Sequence, residues 1–218
     1  MTPETSNRGT LLVVIPCSKS KKPGGTVGRQ GHEVVDGLPT SLVGDLTDAR
    51  ERNANLAKRG PVLMPALTRY TGTLYGAAHE ALASIASSGA HVLILSGGYG
   101  VVRADELIAD YEMRFNPTMW PDRIVERTLE AYAERHGCVS VRAFAGGTTA
   151  YARVVRRTRW LRAGVQDAVL IAPDFHRGGA MRAVPAALGA AITALSQNRL
   201  TPQWRTVDGI GFNWDRLG

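Results

Sequence analysis

Residues 11–22 read Leu-Leu-Val-Val-Ile-Pro-Cys-Ser-Lys-Ser-Lys-Lys, and this stretch decides the reading of the rest. A short apolar run rich in Val and Ile suits a strand buried on both faces. Pro16 has no N–H to give to a sheet ladder, so the strand ends there. Cys17, Ser18, Lys19, Lys21 and Lys22 then fall on the loop at the strand's carboxyl end. In open α/β sheets, ligands bind at that edge.

Three further stretches have the same character: HVLILS at 91–96, CVSVRAFA at 138–145 and DAVLIAP at 167–173. Helical patterns alternate with them. One spans Ser41 to Arg59, and another spans 74–89 and closes at Gly89. A third runs from Pro121 to His136 with Gly137 as its stop, a fourth opens at 146–149 and reaches Arg159, and the last covers Ala180 to Gln197. Such alternation predicts an α/β three-layer sandwich with a mostly parallel central sheet. Residues 1–9 read as a disordered lead, 10–218 as a single domain, and 23–40 as a long polar loop.

Composition sets outer bounds. The chain has 218 residues, 44% hydrophobic and 21% charged, which is ordinary for a globular domain. No apolar run approaches the roughly 20 residues that span a bilayer, and MTPETSNRGT lacks the basic and apolar regions of a secretory signal. Two cysteines, Cys17 and Cys138, make no disulfide framework, so a reduced cytoplasmic setting is expected. Lys+Arg outnumber Asp+Glu by 26 to 19, a net charge of +7 that favours nucleic acid, DNA ahead of RNA, or a nucleotide as partner. An equally simple source of that charge is an arginine-rich proteome. No zinc spacing and no Walker motif is present, so no metal or cofactor is expected.

If the four strands are parallel, their following loops converge. After the first come Cys17 and the lysines. After the second come Ser96, Gly97, Gly98, Tyr99 and Gly100, and after the third Gly146, Gly147, Thr148 and Thr149. After the fourth come Asp174 and His176. Cys17 reads either as a nucleophile whose thiolate the lysines favour or as a small buried hydrophobe. Lys19, Lys21 and Lys22 suit phosphate or a solvated turn. The glycines would let a flat base approach the backbone, with Tyr99 stacking on it and Arg103 and Tyr111 nearby. Glu112 and Asp174 could orient an amine, and His176 could move protons; Asp174 also suits a helix cap. Arg153, Arg156 and Arg157 share a helix face that suits phosphates or plain solvent.

The segment LILSGGYGVVRADELIADYEMRF resembles the central signature of the peroxide-stress protein YaaA family. YTGTLY (70–75) and DGIGFNWD resemble that family's flanking segments, in the same order. PCSKSKKP differs from the family's pattern there. Pro16, Cys17 and Lys21 instead resemble the P-C-x-x-x-K motif of the archaeosine synthase core domain, without the tyrosine that follows in that pattern. These resemblances imply a nucleic-acid-associated α/β protein. The expected function is a transferase that joins an amine or amino acid to a base in DNA or tRNA through Cys17. Two alternatives are a non-enzymatic DNA-binding stress protein and a nucleoside hydrolase or deoxyribosyl transferase using Glu112.

Overall fold

The computed structural model describes residues 10–28, 33–175 and 183–218. Among them, six strands form one sheet in the order β4-β3-β1-β6-β7-β8. These are β1 (Thr10–Pro16), β3 (His91–Ser96), β4 (Gly100–Arg103), β6 (Cys138–Phe144), β7 (Asp167–Asp174) and β8 (Gly211–Leu217). The strands β3, β1, β6 and β7 are the four apolar runs, and they pair in parallel. The edges β4 and β8 run antiparallel. A separate two-stranded ribbon joins β2 (Leu63–Pro65) to β5 (Leu107–Ala109).

Strand β1 lies at the centre because both its faces are apolar. Leu12 and Val14 pack into one core with α1 (Thr40–Leu56), α4 (Ile124–Arg135) and α5 (Ala150–Arg157). Val13 and Ile15 pack into the other with α3 (Thr73–Ser87) and α6 (Val184–Ser196). All four side chains are buried, each contributing roughly 1.5–3 kcal/mol. The short helix α2 (Ala66–Arg69) leads into α3. The architecture is the expected α/β sandwich, with helices on both faces of a mostly parallel sheet. No helix among the described residues is long and apolar enough to cross a membrane.

Some boundaries differ from the sequence reading. Asp122 and Arg123 have φ of 53° and 56°, which a right-handed helix cannot contain. Residues 121–123 therefore form a separate turn, and α4 begins at Ile124. The helix opened by Thr149 stops at Arg157, because Thr158 turns extended. Residues 1–9, Ala180 and His176 lie outside the described residues.

The exposed edge of β4 is closed by one side chain. Arg50, from α1, donates Nε to the Tyr99 carbonyl (3.0 Å) and Nη2 to that of Val101 (2.6 Å). Its guanidinium is neutralised by Glu106 at 2.8 Å. Glu106 also accepts from the backbone N–H of Val34 and Arg103. Occupying the free acceptors of an edge strand removes a template for unwanted pairing.

Candidate functional site

The carboxyl ends of β1 and β6 form the place where the strand order reverses. From β1 the chain moves to β3 on one side, then crosses to β6 on the other. A crevice opens at such a point, and here it holds Cys17. The Cys17 N–H donates to the Leu95 carbonyl (3.0 Å), so the residue follows directly on the ladder. Its Sγ lies 3.3 Å from the Tyr151 Oη, and it is only partly buried.

Two clefts meet at this sulfur. The larger, about 680 Å³, is walled by Lys21, Tyr111, Glu112, Arg114 and Phe115. The smaller, about 390 Å³, is walled by Leu74, Tyr75, Val184 and Leu188. Cys17, Ser18, Lys19, Thr149 and Tyr151 border both. The Tyr151 ring stacks on Phe115 with centroids 4.8 Å apart and planes 10° apart, which fixes its hydroxyl beside the thiol.

Beneath the larger cleft lies a closed ring of hydroxyls. Ser96 Oγ donates to Tyr111 Oη (3.0 Å), and Tyr70 Oη donates to Ser96 Oγ (3.2 Å). Tyr70 and Tyr111 are 2.8 Å apart, so Tyr111 donates to Tyr70 and each hydroxyl gives and receives once. The Tyr99 N–H also donates to Ser96 Oγ (3.2 Å). Burial pushes the Tyr70 and Tyr111 phenols far above their ordinary range, aided next by the Cys17 sulfur for Tyr70 and by the Tyr70 phenol, ahead of Cys17, for Tyr111. Burial, and then the Cys17 sulfur, raise Tyr151. These phenols stay protonated and act as dipoles.

Lys21 Nζ sits 4.0 Å above the centre of the Tyr111 ring, a cation–π contact. Burial lowers its pKa, against the opposing pull of Cys17, Asp110 and Glu112. The loop carrying these residues is held by Arg69, which is fully buried. The Arg69 guanidinium donates to the carbonyls of Lys22 (2.6 Å), Gly24 (2.8 Å) and Val62 (3.0 Å). Gly72 packs against Ser18 so closely that a Cβ there would lie 2.1 Å from Ser18 Oγ.

The structure brings Cys17, Ser18, Lys19, Lys21, Tyr111 and Glu112 to the larger cleft, and Gly146 to the smaller. Other expected residues serve elsewhere. Tyr99 is buried, with Oη accepting from the Ala109 N–H (2.9 Å) and its ring under the Arg59 guanidinium at 3.9 Å. It offers no face to a base. Gly97, Gly98 and Gly100 make room for protein instead of ligand. A Cβ on Gly97 would meet the Met113 carbonyl oxygen at 2.2 Å, one on Gly98 the Tyr111 ring at 2.8 Å, and one on Gly100 the Trp120 ring at 3.0 Å. Ser96 is likewise sealed inside, holding the hydroxyl ring.

Arg103 lies at the opposite rim, because β4 runs antiparallel from Gly100, and it pairs with Asp105 at 2.7 Å. Asp174 stands on the same rim as Cys17 but two strands from β1, roughly 10 Å sideways. Gly147 accepts from Arg156, and Thr148 is exposed. On α5, Arg156 pairs with Asp215 (2.7 Å) and Arg157 with Glu126 (3.4 Å), while Arg153 and the loop residue Lys22 are exposed. Glu112 is 79% exposed and faces Lys58 at 3.8 Å.

Tyr70, Tyr151, Phe115 and Arg69 are not marked as site residues by the sequence, whereas Thr149 is, and it borders both clefts. Among the described residues no group of three or more His, Cys, Asp or Glu could hold a metal ion. In comparisons with known proteins, no family model, no curated protein and no solved structure matches this chain.

Proposed function

We propose that the Cys17 crevice is the active centre of a transferase acting on a nucleobase in DNA or tRNA. One observation carries this reading. A partly buried thiol stands at the switch point of a parallel sheet, 3.3 Å from a fixed phenol, on the border of two clefts. The larger cleft has the size of a nucleoside site. Its side chains are aromatic and mostly cationic (Lys19, Lys21 and Arg114 against Glu112), which suits a flat base with an attached phosphate. A base within a duplex would be flipped out to enter.

In this reading the Cys17 thiolate adds to a nitrile carbon borne by the base, leaving a C=N bond there. The displaced electron pair goes to that nitrogen, which takes one proton from Lys21. An amine then adds across that C=N bond, its surplus proton returns to Lys21, and collapse of the adduct re-forms the C=N bond and expels the thiolate. The products are the amine-bearing base and the original Cys17. Glu112, on the larger cleft, orients the amine. The resemblance to the archaeosine synthase core points the same way.

The alternatives find less support. A glutamate nucleophile needs a sheltered carboxylate, and Glu112 is open to water beside Lys58. A DNA-binding face on α5 would draw on Arg156 and Arg157, which are engaged with carboxylates.

The test is mass spectrometry of nucleosides from DNA and RNA of cells carrying the protein, lacking it, or carrying Cys17→Ala. A modified nucleoside found only with the unaltered protein is expected. The same nucleoside in the Cys17→Ala strain would exclude covalent catalysis, and identical profiles in all three would refute the transferase reading.

A further inference from the structure

The two clefts differ in chemistry, and that difference points to two ligands. The smaller has an apolar floor built by Leu74, Val184, Pro185 and Leu188. Its polar rim consists of the hydroxyls of Ser18, Ser20, Thr73 and Tyr151, the Thr149 hydroxyl, which already donates to the Gly146 carbonyl, and the ammonium of Lys19. No carboxylate borders it among the described residues, whereas Glu112 borders the larger cleft. At about 390 Å³ it lies at the small end of the range for ligand sites.

A cleft with a greasy floor, hydroxyl donors and one cation favours a short apolar body ending in an anion. It disfavours a lone ammonium, which would find no counter-charge and would face Lys19. We infer that the smaller cleft is a second binding site, for a small aliphatic carboxylate, which Cys17 and Tyr151 separate from the base-sized cleft. This rests on the reading of the larger cleft as the base site only for the identity of the other ligand. It requires of that cleft only that Cys17 lie between the two. An amino-acid co-substrate would meet the protein here through its carboxylate and side chain, with its amine at the Cys17 border, on whose far side Glu112 of the larger cleft orients it.

Cys17 reports on both clefts, so its alkylation reads them separately. The rate of Cys17 modification by iodoacetamide is followed by peptide mass spectrometry in the presence of butyrate, butylamine or a nucleoside. Butyrate at nine-tenths occupancy should slow the reaction on the order of tenfold, as expected for competition at an occupied site, and butylamine should not.

Val184→Phe fills only the smaller cleft and should abolish the butyrate effect while leaving nucleoside protection intact. Lys19 is exposed, so Lys19→Glu tests the charge without burdening the fold. It should reverse the preference toward butylamine. No slowing by butyrate, equal slowing by butylamine, or butyrate protection that survives in Val184→Phe would each overturn the inference. Nucleosides failing to protect while butyrate does would refute the base-site reading alone.

Discussion

Ser96→Ala tests the hydroxyl ring on which the cleft floor rests. The substitution removes one acceptor from the Tyr99 N–H (3.2 Å) and one from Tyr70 Oη (3.2 Å), and one donor to Tyr111 Oη (3.0 Å). Tyr70 and Tyr111 keep their mutual bond at 2.8 Å, so one phenolic hydrogen is left without an acceptor. The Tyr99 amide is left without one as well, in a site closed to water. A buried unsatisfied group costs about 1–3 kcal/mol, and with one amide and one phenol stranded the expected loss is about 2–6 kcal/mol. Against a typical total of about 5–15 kcal/mol, that is a large share. In urea the midpoint should fall by about 1–3 M with an unchanged slope, given a slope of about 2 kcal/mol/M. Tyr70→Phe strands only the Tyr111 hydrogen and should cost about half as much. A Ser96→Ala loss below about 0.5 kcal/mol, a value within the range of neutral surface changes, would refute the ring as drawn.

Three other outcomes follow from the geometry. Gly97→Ala places a methyl 2.2 Å from a backbone oxygen and 2.8 Å from the Arg114 carbonyl carbon. Overpacking of this kind costs about 1–3 kcal/mol, and because residues 113–114 wall the larger cleft, nucleoside protection of Cys17 should weaken with stability. Glu106→Gln leaves the buried Arg50 cation with only the partly exposed Glu33 at 3.2 Å and should cost about 3 kcal/mol in a denaturant melt, whereas the exposed pair Arg103–Asp105 should yield less than about 1 kcal/mol. The His91 and His136 rings lie with centroids 4.5 Å apart and planes tilted by 43°, and burial holds both below the usual imidazole range. The unfolded chain therefore binds more protons than the folded one in that window. Stability is complete above about pH 6.5 and falls as pH drops through the ordinary histidine value toward the depressed ones; His91→Phe should flatten that part of the thermal-melt profile.

The parts of the fold that could be read in the sequence are those whose signal is local. Leu11–Ile15, 91–96 and 167–173 are continuous apolar runs, and only a strand covered on both faces uses such a run at that length. Their parallel pairing then put Cys17 on the ligand edge. Edge strands escape this logic. GVVR at 100–103 is too short to show a period, and its return beside β3 depends on Arg50, about fifty residues earlier. Tyr99 looked available for stacking because its immediate neighbours are glycines. It is buried because Arg59 and the 107–109 segment close over it from distant parts of the chain. Tyr151 escaped notice for the same reason, since its partner Cys17 lies 134 positions away. The glycines at 97, 98 and 100 carried a real constraint, close approach, but the sequence does not say what approaches. Here it is backbone, Tyr111 and Trp120.

The central claim is that Cys17 is an accessible thiol at the border of a base-binding cleft, while Cys138 is structural. Cys138 is 1% exposed and burial pushes its thiol up to about 11. Peptide mapping after limited iodoacetamide treatment, with and without a saturating mononucleotide, tests this most directly. The account predicts modification at Cys17 and none at Cys138, with the mononucleotide slowing the Cys17 reaction severalfold. An unreactive Cys17, or a rate indifferent to the mononucleotide, would contradict it.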